Sequence, residues 1–148
     1  MKKSPMSAHV TLWVNRLLFA LMIILAFLMP LILDFYGARW SMPDVNRWVV
    51  CIAYYVCLLL ILPALWNIER LLKAVLGGDV FISANVNRLR RIRWLSAGVG
   101  VICFPVGYYF TPLYFLSVIM LFLAFAVSVL KDVMAAAVAI REENDLTI

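Results

Sequence analysis

Four long apolar runs, almost free of charge, decide what this chain can become: Leu17–Leu33, Trp48–Trp66, Trp94–Phe110 and Leu113–Leu130. A hydrocarbon core about 30 Å thick takes roughly 20 helical residues to cross. Each run, with a few interfacial residues added, meets that length. In lipid the backbone must satisfy its own polar groups, so such runs fold as helices. The expected fold is all-α: an integral membrane bundle of four transmembrane helices, up-down-up-down, in a single domain over residues 1–148. The spans fall near 12–33, 48–66, 94–110 and 113–130, leaving a hairpin at 67–93 and a tail at 131–148. A soluble fold is disfavoured, because a chain of 148 residues that is 66% hydrophobic is too small to hide four such helices from water. Lys2 and Lys3 precede the first run as they would a signal peptide. The following Leu31-Ile32-Leu33-Asp34-Phe35-Tyr36 is too bulky for a cleavage site, so the run reads as a retained span.

The placement of charge orients the spans. The first connection holds only Arg39 and Arg47, offset by Asp34 and Asp44, and the turn Tyr109-Phe110-Thr111-Pro112 holds none. The other eleven of the thirteen basic residues (Lys2, Lys3, Arg16, Arg70, Lys73, Arg88, Arg90, Arg91, Arg93, Lys131 and Arg141) fall on the opposite side. The positive-inside rule assigns that side to the cytoplasm, with both termini.

Local signals mark the ends. Trp13 and Arg16 anchor the inner end of the first span; Phe35, Tyr36 and Trp40 mark its outer interface. Pro30 bends it, a bend tolerated where a neighbour satisfies the freed carbonyl. Pro43 and Asp44 open the second helix. Past Trp66 that helix continues as an amphipathic stub, with Ile68, Leu71, Leu72 and Val75 spaced i, i+3, i+4, i+7. Gly77-Gly78 ends it, and Ser83 is the expected N-cap of the basic helix that runs into the third span. Gly98, Gly100 and Gly107 permit close approach in the third span, where Pro105 is a kink. Thr111-Pro112 starts the fourth helix, and nothing breaks it before about Glu143, so its last turns project into the cytoplasm.

The absences limit the chemistry. No Asp, Glu, Lys, Arg or His occupies the centre of a span, which argues against a proton-coupled transporter. His9 is the only histidine, so bis-histidine haem ligation within one chain is excluded, and no cofactor or metal is expected. The bases that nucleophilic catalysis needs are missing from the spans, so no enzyme is expected. Cys51, Cys57 and Cys103 form no C-x-x-C and read as small packing residues. Tyr54 and Tyr55 read as interhelical hydrogen-bond donors, at most one of them facing a given neighbour. Polar choice concentrates in two segments: Phe81, Asn85, Arg88, Arg90, Arg91 and Arg93, and the tail Glu142, Glu143, Asp145, Leu146, Thr147 and Ile148. The arginines suit anionic lipid headgroups, an acidic partner, or the chain's own acidic tail; four beside a membrane make no groove-reading surface for nucleic acid.

The turn Gly78-Asp79-Val80-Phe81-Ile82-Ser83-Ala84-Asn85-Val86-Asn87-Arg88-Leu89-Arg90 and the tail Glu142-Glu143-Asn144-Asp145-Leu146-Thr147-Ile148 resemble those of the bacterial YoaS-like four-span membrane proteins. That family is classed as a domain of unknown function, and the resemblance covers nearly the whole chain. Its members are often encoded beside a small helix-turn-helix regulator of the Cro type, which implies a cytosolic DNA-binding partner; no enzymatic activity is attached to the family, and the resemblance implies a bacterial inner membrane as the location. The expected function is thus a non-enzymatic regulatory or accessory membrane protein. A small oligomeric permease, efflux subunit or channel remains the alternative, since uncharged pores lined by hydroxyls and carbonyls exist.

Overall fold

A computed structural model describes residues 6–147, so Lys2, Lys3 and Ile148 lie outside the described residues. Four helices follow one another: α1 (Met6–Trp40), α2 (Asp44–Leu76), α3 (Ser83–Val106) and α4 (Pro112–Leu146). There is no strand among the described residues. Helices α1, α2 and α4 are long and apolar enough to cross a membrane. At 33 to 35 residues each, they are about 50 Å long at about 1.5 Å rise per residue.

Helix α3 falls short of the expected run to Phe110. It carries Arg88, Arg90, Arg91 and Arg93 in its first half and ends at Val106. Its apolar stretch from Trp94 is therefore only about 20 Å long. Pro105 brings no N–H to the last turn, and Gly107 follows it, donating to the Cys103 and Phe104 carbonyls. Residues 107–111 then form tight turns, and Pro112 opens α4 behind Thr111, whose hydroxyl makes no capping bond.

Neighbouring helices pair with opposed chain direction. Between α1 and α2, Asn15 meets Leu65, Tyr54 meets Met22 and Arg47 meets Asp34. Between α3 and α4, Arg93 meets Ser128, Gly100 meets Ser117 and Phe104 meets Tyr114. The backbones approach only in the order α1–α2–α3–α4; α1 does not close onto α3 or α4. The arrangement is a row more open than a closed bundle. Most large side chains of α1, Leu17, Phe27 and Leu31 among them, are exposed, as they would be to hydrocarbon.

Close contacts hold the row where the sequence places small or hydrogen-bonding residues. A Cβ on Gly100 would lie 2.8 Å from Leu121 Cγ, and one on Gly107 would lie 2.7 Å from the Tyr114 ring, so glycine lets α4 press against α3. Ser117, fully buried, donates to the Gly100 carbonyl at 2.7 Å. Both α2 tyrosines reach α1: Tyr54 donates to the Met22 carbonyl at 3.3 Å and Tyr55 to the Ala26 carbonyl at 2.9 Å. The sequence had allowed one of them this role; two side chains about 100° apart on α2 straddle the same neighbour. Ala26 lies four residues before Pro30, so Tyr55 satisfies the carbonyl that the proline leaves without a donor.

Candidate functional site

Below the apolar stretches, the end of α2, the start of α3 and the end of α4 build a second core. Leu89 and Ile92 of α3 and Met134 and Val138 of α4 are buried together, with Ile68, Leu71, Val80, Val86 and Val127 packed around them. The amphipathic stub of α2 thus finds its partner: Ile68 and Leu71 face this core. A three-helix cap results, in a part of the chain rich in charge.

The connection between α2 and α3 is a built turn. Gly78 adopts a left-handed conformation (φ 88°). Its N–H donates to the Val75 carbonyl at 3.2 Å, and that of Asp79 donates to Ala74 at 3.0 Å. These bonds cap α2 in the Schellman manner. At the other side the expected cap by Ser83 is absent: Ile82 is the N-cap residue, and no side-chain capping bond forms. Asn85 replaces it. Its side chain is 0% exposed, and Nδ2 donates to the carbonyls of Asp79 (2.8 Å) and Val80 (2.9 Å), while Oδ1 accepts from Arg88. Asn85 therefore belongs to the frame of the turn rather than to its free surface.

The remaining polar residues separate into two levels. Arg93 stacks on Trp94 at 5.0 Å and donates to Ser128 Oγ at 3.3 Å. Arg16 lies over Trp13 and Arg70 over Trp66, giving an arginine–tryptophan pair on each of α1, α2 and α3. Arg90 and Arg91 are exposed. Glu69 ties α1 to α2, accepting from Lys73 at 2.8 Å and Arg16 at 3.3 Å. The Lys73 ammonium, and Arg16 after it, hold the Glu69 carboxyl below its ordinary range.

The acidic tail does not meet the arginines. Helix α4 continues to Leu146, so the tail points onward instead of folding back. Arg141 donates to the Phe81 carbonyl at 3.4 Å, tying the turn to α4 just before its acidic residues. Glu142, Glu143 and Asp145 are exposed beyond it, and among the described residues none pairs with Arg88–Arg93. Taking Ser128 as the level of Arg93, Glu142 stands roughly 14 to 21 Å further along α4 than the arginine segment. Leu146 is 87% exposed, and Thr147 turns its hydroxyl back onto the Glu143 and Asn144 carbonyls. The cap offers a basic band close to the apolar segments and an acidic tip far from them.

Sequence reading missed one constellation. Cys57 of α2 and Cys103 of α3, both buried, bring their sulfurs to 3.9 Å. They are 46 positions apart, so no spacing rule could pair them. They line an apolar cavity of about 340 Å³ between the helices, to which α1 contributes Met22 and Met29 and α4 contributes Met120. No group of three or more His, Cys, Asp or Glu residues gathers among the described residues.

No curated protein and no solved structure matches the chain. The pattern of the family described as Protein of unknown function (DUF2975) matches residues 38–148, which take in α2, α3, α4 and the connections between them but little of α1. With that match over three quarters of its length, this chain of four helices, three of them long and apolar enough to cross a membrane, belongs to that family of unknown function.

Proposed function

We propose that the protein is a non-enzymatic regulatory or accessory protein of the bacterial inner membrane, and that its cytoplasmic cap docks a soluble partner. In this reading α3 makes a fourth, short crossing, with Arg93 folded onto Trp94 at the inner interface, and both termini are cytoplasmic. The distribution of eleven basic residues supports that orientation. The observation that carries the docking reading is the unbroken α4. It leaves the apolar layer, packs into the cap core, and holds Glu142, Glu143, Asp145 and Leu146 exposed on a rigid helix.

The basic band suits anionic lipid headgroups, at about 1 kcal/mol for each basic residue near a charged leaflet. The acidic tip suits a basic protein surface. The resemblance to YoaS-like proteins supports a small DNA-binding regulator as that partner. The permease or channel reading gains little from the cavity, whose lining is apolar apart from a Tyr54 hydroxyl already bonded to the Met22 carbonyl. Removing residues 142–148 is expected to abolish recovery of the partner in a pull-down while leaving membrane insertion intact. Unchanged recovery would refute the docking surface. Reporters fused at the two ends are expected to place both in the cytoplasm; ends on opposite sides would remove the fourth crossing.

A further inference from the structure

Half of the chain's sulfur converges on one place. The sequence holds seven methionines and three cysteines. Five of those ten residues, Met22, Met29, Cys57, Cys103 and Met120, are among the fifteen that line the interhelical cavity. They come from all four helices. The two thiols touch at 3.9 Å, and Met120 packs against the cluster they form with Val99, itself 1% exposed. Cys51 lies elsewhere, in a shallower pocket with Asp34, Asp44 and Arg47.

The donor set selects the class of ligand. The cavity wall has no carboxylate and no imidazole, and the hydroxyl of Tyr54 is committed to the Met22 carbonyl. Hard ions need oxygen ligands, and zinc would need further thiolate, nitrogen or oxygen ligands that this wall lacks. Thiolate with thioether is the donor set of soft ions, Cu(I) foremost. Charge points the same way, because an ion in an apolar cavity must be neutralised there. One Cu+ replacing one thiol proton, RSH + Cu+ → RS–Cu + H+, leaves a neutral complex, and the proton passes to water. No electron is transferred.

We infer that the cavity binds a single Cu(I) ion, held by Cys57, Cys103 and Met120, with Met22 and Met29 facing the same space from α1. This goes beyond the docking reading and stands without it. The test is a titration of the purified full chain in detergent, under reducing conditions, with Cu(I) competed by a chromophoric chelator. One ion per chain is expected, with the near-ultraviolet absorption of a Cu(I)–thiolate bond. Cys57→Ala and Cys103→Ala are each expected to weaken binding on the order of 100-fold, and Met120→Leu by about tenfold. Cys51→Ala is expected to change nothing. Absence of binding by the unmodified chain, or equal affinity after both Cys57→Ala and Cys103→Ala, overturns the inference and leaves these sulfurs as adaptable packing. Should the cysteine variants fail to fold, alkylation of the unmodified chain decides. One equivalent of Ag(I) is expected to slow N-ethylmaleimide attack on Cys57 and Cys103 and not on Cys51; equal effects on all three refute the site.

Discussion

Replacing Asn85 by alanine tests whether the cap is held by one buried amide. The side chain has no exposed surface and donates to two carbonyls, those of Asp79 and Val80. Each such bond is worth about 1 kcal/mol net, and a buried acceptor left without a donor costs about 1–3 kcal/mol. Two acceptors near the edge of the cap place the cost of Asn85→Ala at about 2–4 kcal/mol. The loss is local, since the bonds join the start of α3 to the turn and not to the apolar spans. It is therefore best read by hydrogen exchange of the protein in lipid nanodiscs, in peptides covering residues 74–89. At about 1.4 kcal/mol per tenfold change, protection of the Asp79 and Asn85 amides is expected to fall about 30- to 700-fold. Asn85→Asp should be worse than alanine at neutral pH, because carboxylate oxygens would face the two carbonyls, and Arg88 offsets only part of that repulsion. Ser83→Ala is the contrast. The sequence marks Ser83 as the cap, yet it makes no capping bond, so its removal should change protection by less than about 0.5 kcal/mol. Protection within about threefold of the unmodified chain in Asn85→Ala, or a larger loss in Ser83→Ala, would refute the assignment.

Other outcomes follow from the same contacts. Tyr55→Phe is expected to lower stability by about 1 kcal/mol in a steric-trapping measurement. The penalty should shrink in the Pro30→Ala background, where an N–H returns to the Ala26 carbonyl; an unchanged penalty would show that Tyr55 does not compensate the proline. Gly100→Ala should cost about 1–3 kcal/mol by forcing Leu121 away, and Leu121→Ala should recover part of it; additive losses would place the strain elsewhere. Glu69 has its carboxyl held low, chiefly by Lys73, so its contribution is present above the ordinary carboxylate pKa of about 4.3 and is lost as pH falls through the lowered value. The segments of α1 and α2 around Arg16 and Glu69 should therefore stay paired, by electron-spin distance measurement, from neutral pH to about pH 5, and separate only in stronger acid. Separation already at about pH 6 would show that another group governs the contact.

The helices were legible because the bilayer's demand on them is one-dimensional: a run is apolar and long enough, or it is not. Leu17–Leu33, Trp48–Trp66 and Leu113–Leu130 each fall within a helix of the required length. The third run misled by its end. Apolar composition continues to Phe110, whereas the helix stops at Val106, because Pro105 and Gly107 act on the backbone and leave hydropathy unchanged. Ser83 misled in a related way. A serine before a helix is a good cap when it stands at the N-cap, but here Ile82 takes that position, and an asparagine two residues further on serves the turn.

What the sequence withheld depends on which helices lie side by side. The proximity of Glu142 to the arginines was a plausible pairing of opposite charges on one membrane face. It fails because α4 is too good a helix: Ala135–Ala137, Ala139 and the residues beyond contain no breaker, so the acidic tip is carried past the turn instead of back to it. The Cys57–Cys103 contact needs α2 and α3 to pair in one register, and that register is set by Gly98 against Leu60 and by the cap core far from either sulfur. The same α3 that frames the cap with Asn85 and Leu89 also carries Val99 and Cys103 into the cavity wall, about three to five turns away.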